Sequence, residues 1–148
     1  MKRINIEREK CQACLTCISV CADIHSENQN STKFSCNSRG YIIHQKDGNC
    51  TPIYCRCCND PECVATCMSG ALQKDFKTGR IFYDKERCGK CFMCVICCPY
   101  GLPRVSETSE QEIIRCDACV GIGGGFSCAA ACPTGALSIK EVNEFCDT

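Results

Sequence analysis

A chain of 148 residues with 17 basic and 17 acidic side chains is the size of one ordinary domain, carries no formal net charge, and shows neither a basic patch nor a motif for nucleic acid. Trp is absent and aromatics are 7% of residues, so large buried rings supply little stability and something else must hold the polypeptide together. Twenty-one cysteines leave three readings, namely a secreted disulfide scaffold, a zinc array, or iron–sulfur ligation.

The first segment, residues 1–10, is polar and charged, with no apolar stretch or arginine pair to direct export, so a reducing cytoplasm is expected and disulfides become the weak reading. No stretch reaches the roughly 18 to 20 apolar residues that cross a bilayer, so any membrane association would run through a partner. A short strand is expected near Ile4–Ile6, followed by a first cysteine run, Cys11, Cys14, Cys17 and Cys21, spaced C-x2-C-x2-C-x3-C. Residues 25–50 are rich in Ser, Asn and Gly and read as a long loop enclosing one strand, Tyr41–Ile43.

The second run, Cys55, Cys58, Cys63 and Cys67, is spaced C-x2-C-x4-C-x3-C. It leads through a glycine turn into a strand at Leu72–Lys74, and Lys77-Thr-Gly-Arg80 predicts a hairpin back through Ile81–Tyr83. The third run, Cys88, Cys91, Cys94 and Cys98, repeats the spacing of the first, and Arg80-Ile81 stands before it as Arg3-Ile4 stands before run one. A strand near Ile113–Arg115 precedes the fourth run, Cys116, Cys119, Cys128 and Cys132, spaced C-x2-C-x8-C-x3-C, and Leu137–Ile139 closes the series. Compact and expanded runs thus alternate, as a duplication would leave them. One-turn to three-turn helices are expected to carry the last cysteine of each run.

Three thiolates at steps of three let a tight loop wrap one face of a [4Fe–4S] cube, and in the bacterial C-x2-C-x2-C-x3-C-P run the fourth cysteine reaches across to a second cube. Runs three and four end in the matching Pro99 and Pro133, whereas Ala22 and Met68 follow runs one and two. Zinc uses separated cysteine pairs, often with histidine, and neither His25 nor His44 stands at ligand spacing. The pattern therefore points to four [4Fe–4S] clusters on sixteen cysteines, with thiolate ligation coupled to folding and no residue acting as acid, base or nucleophile. Each cube with its thiolates carrying about −2 would make the loaded chain acidic by about eight charges. Gly121-Ile-Gly-Gly-Gly125 lacks the dinucleotide spacing and sits between two ligands, so it reads as a cluster loop. Five cysteines stand outside the runs. Cys57 and Cys97 could compete as ligands, though a thiol without a task is the commoner outcome, and Cys36, Cys50 and Cys146 could form a site toward a partner.

The motifs Cys55-Arg-Cys-Cys-Asn-Asp-Pro-Glu-Cys63, Cys88 through Cys98-Pro99, and Cys116-Asp-Ala-Cys119 through Cys132-Pro-Thr-Gly-Ala136 carry a resemblance that covers nearly the whole chain. The chain resembles the four-cluster ferredoxin-like electron-transfer subunits that accompany carbon monoxide dehydrogenases, formate dehydrogenases, hydrogenases and molybdopterin reductases. Cys67-Met-Ser-Gly-Ala71 and Phe92-Met93-Cys94-Val95 look most like the ferredoxin subunit of carbon monoxide dehydrogenase. The resemblance implies an α+β fold of two interlocked two-cluster modules, an outer one of residues 1–50 plus 104–148 and an inner one of residues 51–103. It implies four ligand sets: Cys11, Cys14, Cys17 and Cys132; Cys116, Cys119, Cys128 and Cys21; Cys55, Cys58, Cys63 and Cys98; and Cys88, Cys91, Cys94 and Cys67. Spacing alone leaves open the pairing of run one with two and three with four. The implied function is relay of low-potential electrons between a redox metalloenzyme, carbon monoxide dehydrogenase first, and a second redox protein such as a hydrogenase or flavoprotein. A formate dehydrogenase, hydrogenase or aldehyde oxidoreductase complex, or a freely diffusing polyferredoxin, stands as the alternative.

Overall fold

The computed structural model describes residues 2–26, 38–46, 50–106, 110–120, 122 and 125–141. Cys36, Cys146 and much of the Gly121–Gly125 loop lie outside the described residues. Secondary structure comes in short pieces. Strand β1 (Lys2–Ile6) leads through a 3-10 turn into helix α1 (Thr16–Ile24), and β2 (Tyr41–His44) and β3 (Cys50–Ile53) follow. Then come α2 (Glu62–Ala65), β4 (Leu72–Lys74), β5 (Ile81–Tyr83), α3 (Met93–Cys97), β6 (Arg104–Val105), β7 (Ile113–Ile114), α4 (Ser127–Ala130) and β8 (Leu137–Glu141). Among the described residues every sheet is a pair: β1 with β8, β2 with β3, β4 with β5, and β6 with β7. The fold is a small α+β one, and no helix among the described residues is long and apolar enough to cross a membrane.

Two compact units divide the chain. One joins Ile4–Tyr54 to Ala118–Lys140, and in it α1 packs on α4. Its buried residues include Cys17, Ile18, Cys21, Tyr54, Phe126, Cys128 and Leu137. The other joins residues 2–3, Cys55–Asp117 and Glu141, and in it α2 packs on α3 and on β4. Its core gathers Cys63, Leu72, Ile81, Cys94 and Ile113, flanked by Val64, Tyr83, Phe92 and Val95. Thiols thus occupy positions that aliphatic side chains fill in ordinary domains, as the shortage of large apolar residues requires.

The hairpin at residues 74–81 forms as its turn chemistry predicts. Leu72 stands opposite Tyr83 and Lys74 opposite Ile81. Gly79 takes a φ of 71°, and its N–H donates to the Asp75 carbonyl at 2.7 Å.

The helices depart from expectation. In three of the four runs the helix carries the third cysteine, Cys63, Cys94 or Cys128, and stops before the fourth; only α1 continues through Cys21. The physical reason lies just downstream. Cys67, Cys98 and Cys132 each begin a turn closed by a glycine at positive φ, Gly70, Gly101 or Gly135, whose N–H donates to the cysteine carbonyl at 3.0 to 3.3 Å. Pro99 and Pro133 also disfavour the helical region for the cysteine before them. The long-loop segment contains β2 as expected, and its last residue, Cys50, opens a strand that was not expected, pairing with His44.

Candidate metal centre

The cysteine loops share one unusual backbone feature. Ala13, Cys57, Lys90 and Ala118, each the residue before the second cysteine of its run, all have φ between 48° and 60°. The residue two before the third cysteine does the same in Leu15, Phe92 and Phe126, at φ of 50° to 59°. Run two differs because Pro61 stands there and its ring holds φ at −85°. A left-handed non-glycine residue costs on the order of 1–2 kcal/mol and persists only where its surroundings over-determine it. Alternating right- and left-handed residues turn successive N–H groups into one concavity, a nest for an anion.

All nineteen described cysteines are free thiols, and the structure gathers them in groups. Cys11, Cys14, Cys17 and Cys132 line one small recess, walled also by Leu15, Pro52 and Leu137. Cys14 Sγ accepts from the Thr16 hydroxyl at 3.4 Å, which holds its thiol below the usual value. Burial pushes the Cys17 thiol up.

Cys21, Cys119 and Cys128 form a second group in the same unit. Burial first, and then the neighbouring Cys21, Cys119 and Cys17, push Cys128 up to about 12. The Arg39 N–H donates to Cys21 Sγ at 3.2 Å. Cys116, expected with this group, is buried, and the boundary between the units falls after Asp117. His25, read as a loop residue with no part in the site, stands with Nε2 at 3.9 Å from Cys119 Sγ; ninety-four positions separate the two, and no local signal announces the pair.

In the other unit, Cys55, Cys58, Cys63 and Cys98 come together. Burial raises the thiols of Cys58 and Cys63, the second to about 12, with charge on Cys55 and Cys98 acting in the same direction. Cys55 is held low, first by the Cys57 thiol and, against burial, by Arg115. The last group is Cys67, Cys88, Cys91 and Cys94: burial and then Cys67, Cys88 and Cys91 push Cys94 up to about 11. Burial opposes charge on Cys67, yet the Leu72 N–H, at 3.4 Å, and the Ser69 hydroxyl outweigh it and hold that thiol low. Of the thiols outside the runs, Cys57 is buried beside Cys55, Cys97 lies 3.2 Å from the Thr66 hydroxyl, and Cys50 lies 3.2 Å from His44 Nδ1.

A second observation concerns the hydroxyl beside the first two groups. Tyr54 is buried, and its hydroxyl, which meets no regular hydrogen-bond geometry among the described residues, interacts with the thiols of Cys17, Cys21 and Cys128 and favours charge on Cys17. Soft, closely grouped thiols, N–H nests and a hydroxyl turned to sulfur together make a donor set for iron and sulfide.

Such a set on a small α+β frame defines a class, the ferredoxin-like iron–sulfur proteins. The 4Fe-4S dicluster domain family matches residues 46–142. Electron transport protein HydN of Escherichia coli (strain K12) is 32% identical over 154 residues, covering 93% of this chain and 87% of that one. The beta subunit of the NADH-dependent phenylglyoxylate dehydrogenase of Aromatoleum evansii is 33% identical over 90% of this chain and 29% of its own length. Among solved structures, the BamBC active-site complex of benzoyl coenzyme A reductase with zinc aligns with a TM-score of 0.53 at 25% identity, covering 97% of this chain and 81% of that one. The chain belongs to the 4Fe-4S dicluster family of ferredoxin-like electron-transfer subunits. Its role is to carry electrons rather than to transform a substrate.

Proposed function

We propose that this chain is a four-cluster relay that passes low-potential electrons between a redox metalloenzyme and a second redox protein. The carrying observation is the gathering of run one with run four and of run two with run three, each group set in loops of the same left-handed design. In this reading Cys11, Cys14, Cys17 and Cys132 hold one [4Fe–4S] cluster and Cys116, Cys119, Cys128 and Cys21 its neighbour. Cys55, Cys58, Cys63 and Cys98 hold a third, and Cys88, Cys91, Cys94 and Cys67 a fourth, so that each two-cluster module interlocks two distant stretches of chain. When bound, such a cube supplies reversible uptake of one electron. The chain's own groups set its environment. Nest N–H groups, the Thr16 and Ser69 hydroxyls and the Leu72 N–H stabilise negative charge on sulfur, and burial opposes it.

Carbon monoxide dehydrogenase is the partner enzyme of this reading, on the strength of the Cys67–Ala71 and Phe92–Val95 segments. A crowd of thiols beyond the sixteen suits a reducing cytoplasm. Anaerobically purified full-length chain is expected to hold about 16 iron and about 16 acid-labile sulfide, four cubes at four of each. Contents near half those values would reduce the relay to one module, and zinc without sulfide would end it. Affinity capture under anaerobic conditions, read by mass spectrometry, tests the partner, and recovery of a different metalloenzyme would replace carbon monoxide dehydrogenase.

A further inference from the structure

Among the described residues one charged side chain is buried, Arg115, at 3% relative exposure. It follows β7, and its guanidinium has two engagements. Nη1 donates to the Ile81 carbonyl of β5, and Nη2 points at Cys55 Sγ, 3.9 Å away. Its charge also favours the thiolates of Cys57 and Cys63.

Burying a guanidinium costs several kcal/mol unless an anion compensates it, and a single carbonyl is a neutral acceptor. The anion on offer is sulfur. Two further cations flank the same loop: Lys74 Nζ donates to the carbonyls of Cys58 and Asn59 at 2.9 and 2.6 Å, and Arg3 binds the Asn59 side chain and favours the Cys58 thiolate.

A cation beside a cluster stabilises whichever state is more negative, and one-electron reduction makes the cluster more negative. We propose that Arg115 is a charge-tuning residue that acts through Cys55 to raise the reduction potential of the cluster on Cys55, Cys58, Cys63 and Cys98. The inference rests on the ligand set proposed above. Lys74 and Arg3 lie nearer solvent and are screened, so the buried arginine carries most of the effect.

The test is an EPR-monitored redox titration of the anaerobically purified full-length chain. Cys98→Ser changes a ligand of this cluster and so marks its Nernst component. Arg115→Met removes the charge but keeps an unbranched apolar stem. That same component is expected to move to lower potential by more than any other, its reduction constant falling about tenfold, which is about 59 mV for one electron. Arg115→Lys keeps the charge without the two-sided reach, and its shift should be smaller. A fully loaded Arg115→Met chain whose marked component does not move overturns the proposal, as does an equal shift of all components. Failure of both Arg115→Met and Arg115→Lys to assemble would make the residue purely structural and overturn it too. The ligand reading fails separately, if Cys98→Ser leaves every potential where it was.

Discussion

Gly40 leaves no room for a side chain. A methyl group there would stand 2.5 Å from the Tyr54 ring and 2.9 Å from the Ile53 carbonyl, and a backbone carbonyl does not yield as a flexible side chain does. The Tyr54 hydroxyl interacts with the thiols of Cys17, Cys21 and Cys128, so pressure on its ring reaches them. Gly40→Ala should therefore cost about 1–3 kcal/mol, as overpacking does. Its visible absorbance should bleach faster than wild type under an iron chelator. A Gly40→Ala chain that bleaches at the wild-type rate would show that the Tyr54 ring does not seat the site.

At the scale of elements, what could be read from the sequence is what local chemistry decides. The strands at Leu72–Lys74 and Ile81–Tyr83 and the turn between them were legible because Lys77-Thr-Gly-Arg80 stands between two short apolar stretches. Strand β3 was not, since Cys-Thr-Pro-Ile carries a proline and gains its order from pairing with β2. The four cysteine runs were legible as spacing. The placement of Arg115 and His25 was not, because only the tertiary fold brings them to Cys55 and Cys119. The turn makes its own prediction. The Asp75 carboxylate accepts from the Thr78 hydroxyl at 2.6 Å and the Lys77 N–H at 2.9 Å, and these donors, the hydroxyl first, hold its pKa below the ordinary value. A lowered folded value means the contribution is present above the unfolded value and is lost as pH falls through the folded one. Asp75→Ala should thus raise hydrogen exchange at the Gly79 amide at neutral pH, with Asp75→Asn intermediate because it keeps an acceptor. The gap between wild type and Asp75→Ala should close on acidification, and a gap that persisted would remove the charge from the account.

For the whole molecule, the question is what holds it together without metal. Helices α2, α3 and α4 have four, five and four residues, and every sheet among the described residues is two-stranded, so none of these elements is stable alone. Chelation under reducing conditions should therefore abolish the far-UV helix signal, and a cooperative native-like apo form would contradict this dependence. The thiols add a pH signature with opposite signs in the two forms. In the folded chain burial raises Cys63 and Cys128 to about 12 and Cys94 to about 11. A raised folded value means that ionisation of these thiols disfavours the metal-free fold further as pH climbs past the ordinary thiol pKa of about 8.5. Metal binding works the other way, because each thiol must surrender its proton to ligate, so low pH competes with iron and higher pH assists it. Resistance of the loaded chain to chelator should therefore grow between about pH 6 and about pH 8, and resistance that did not change with pH would mean that thiol ionisation is not what couples the fold to its metal.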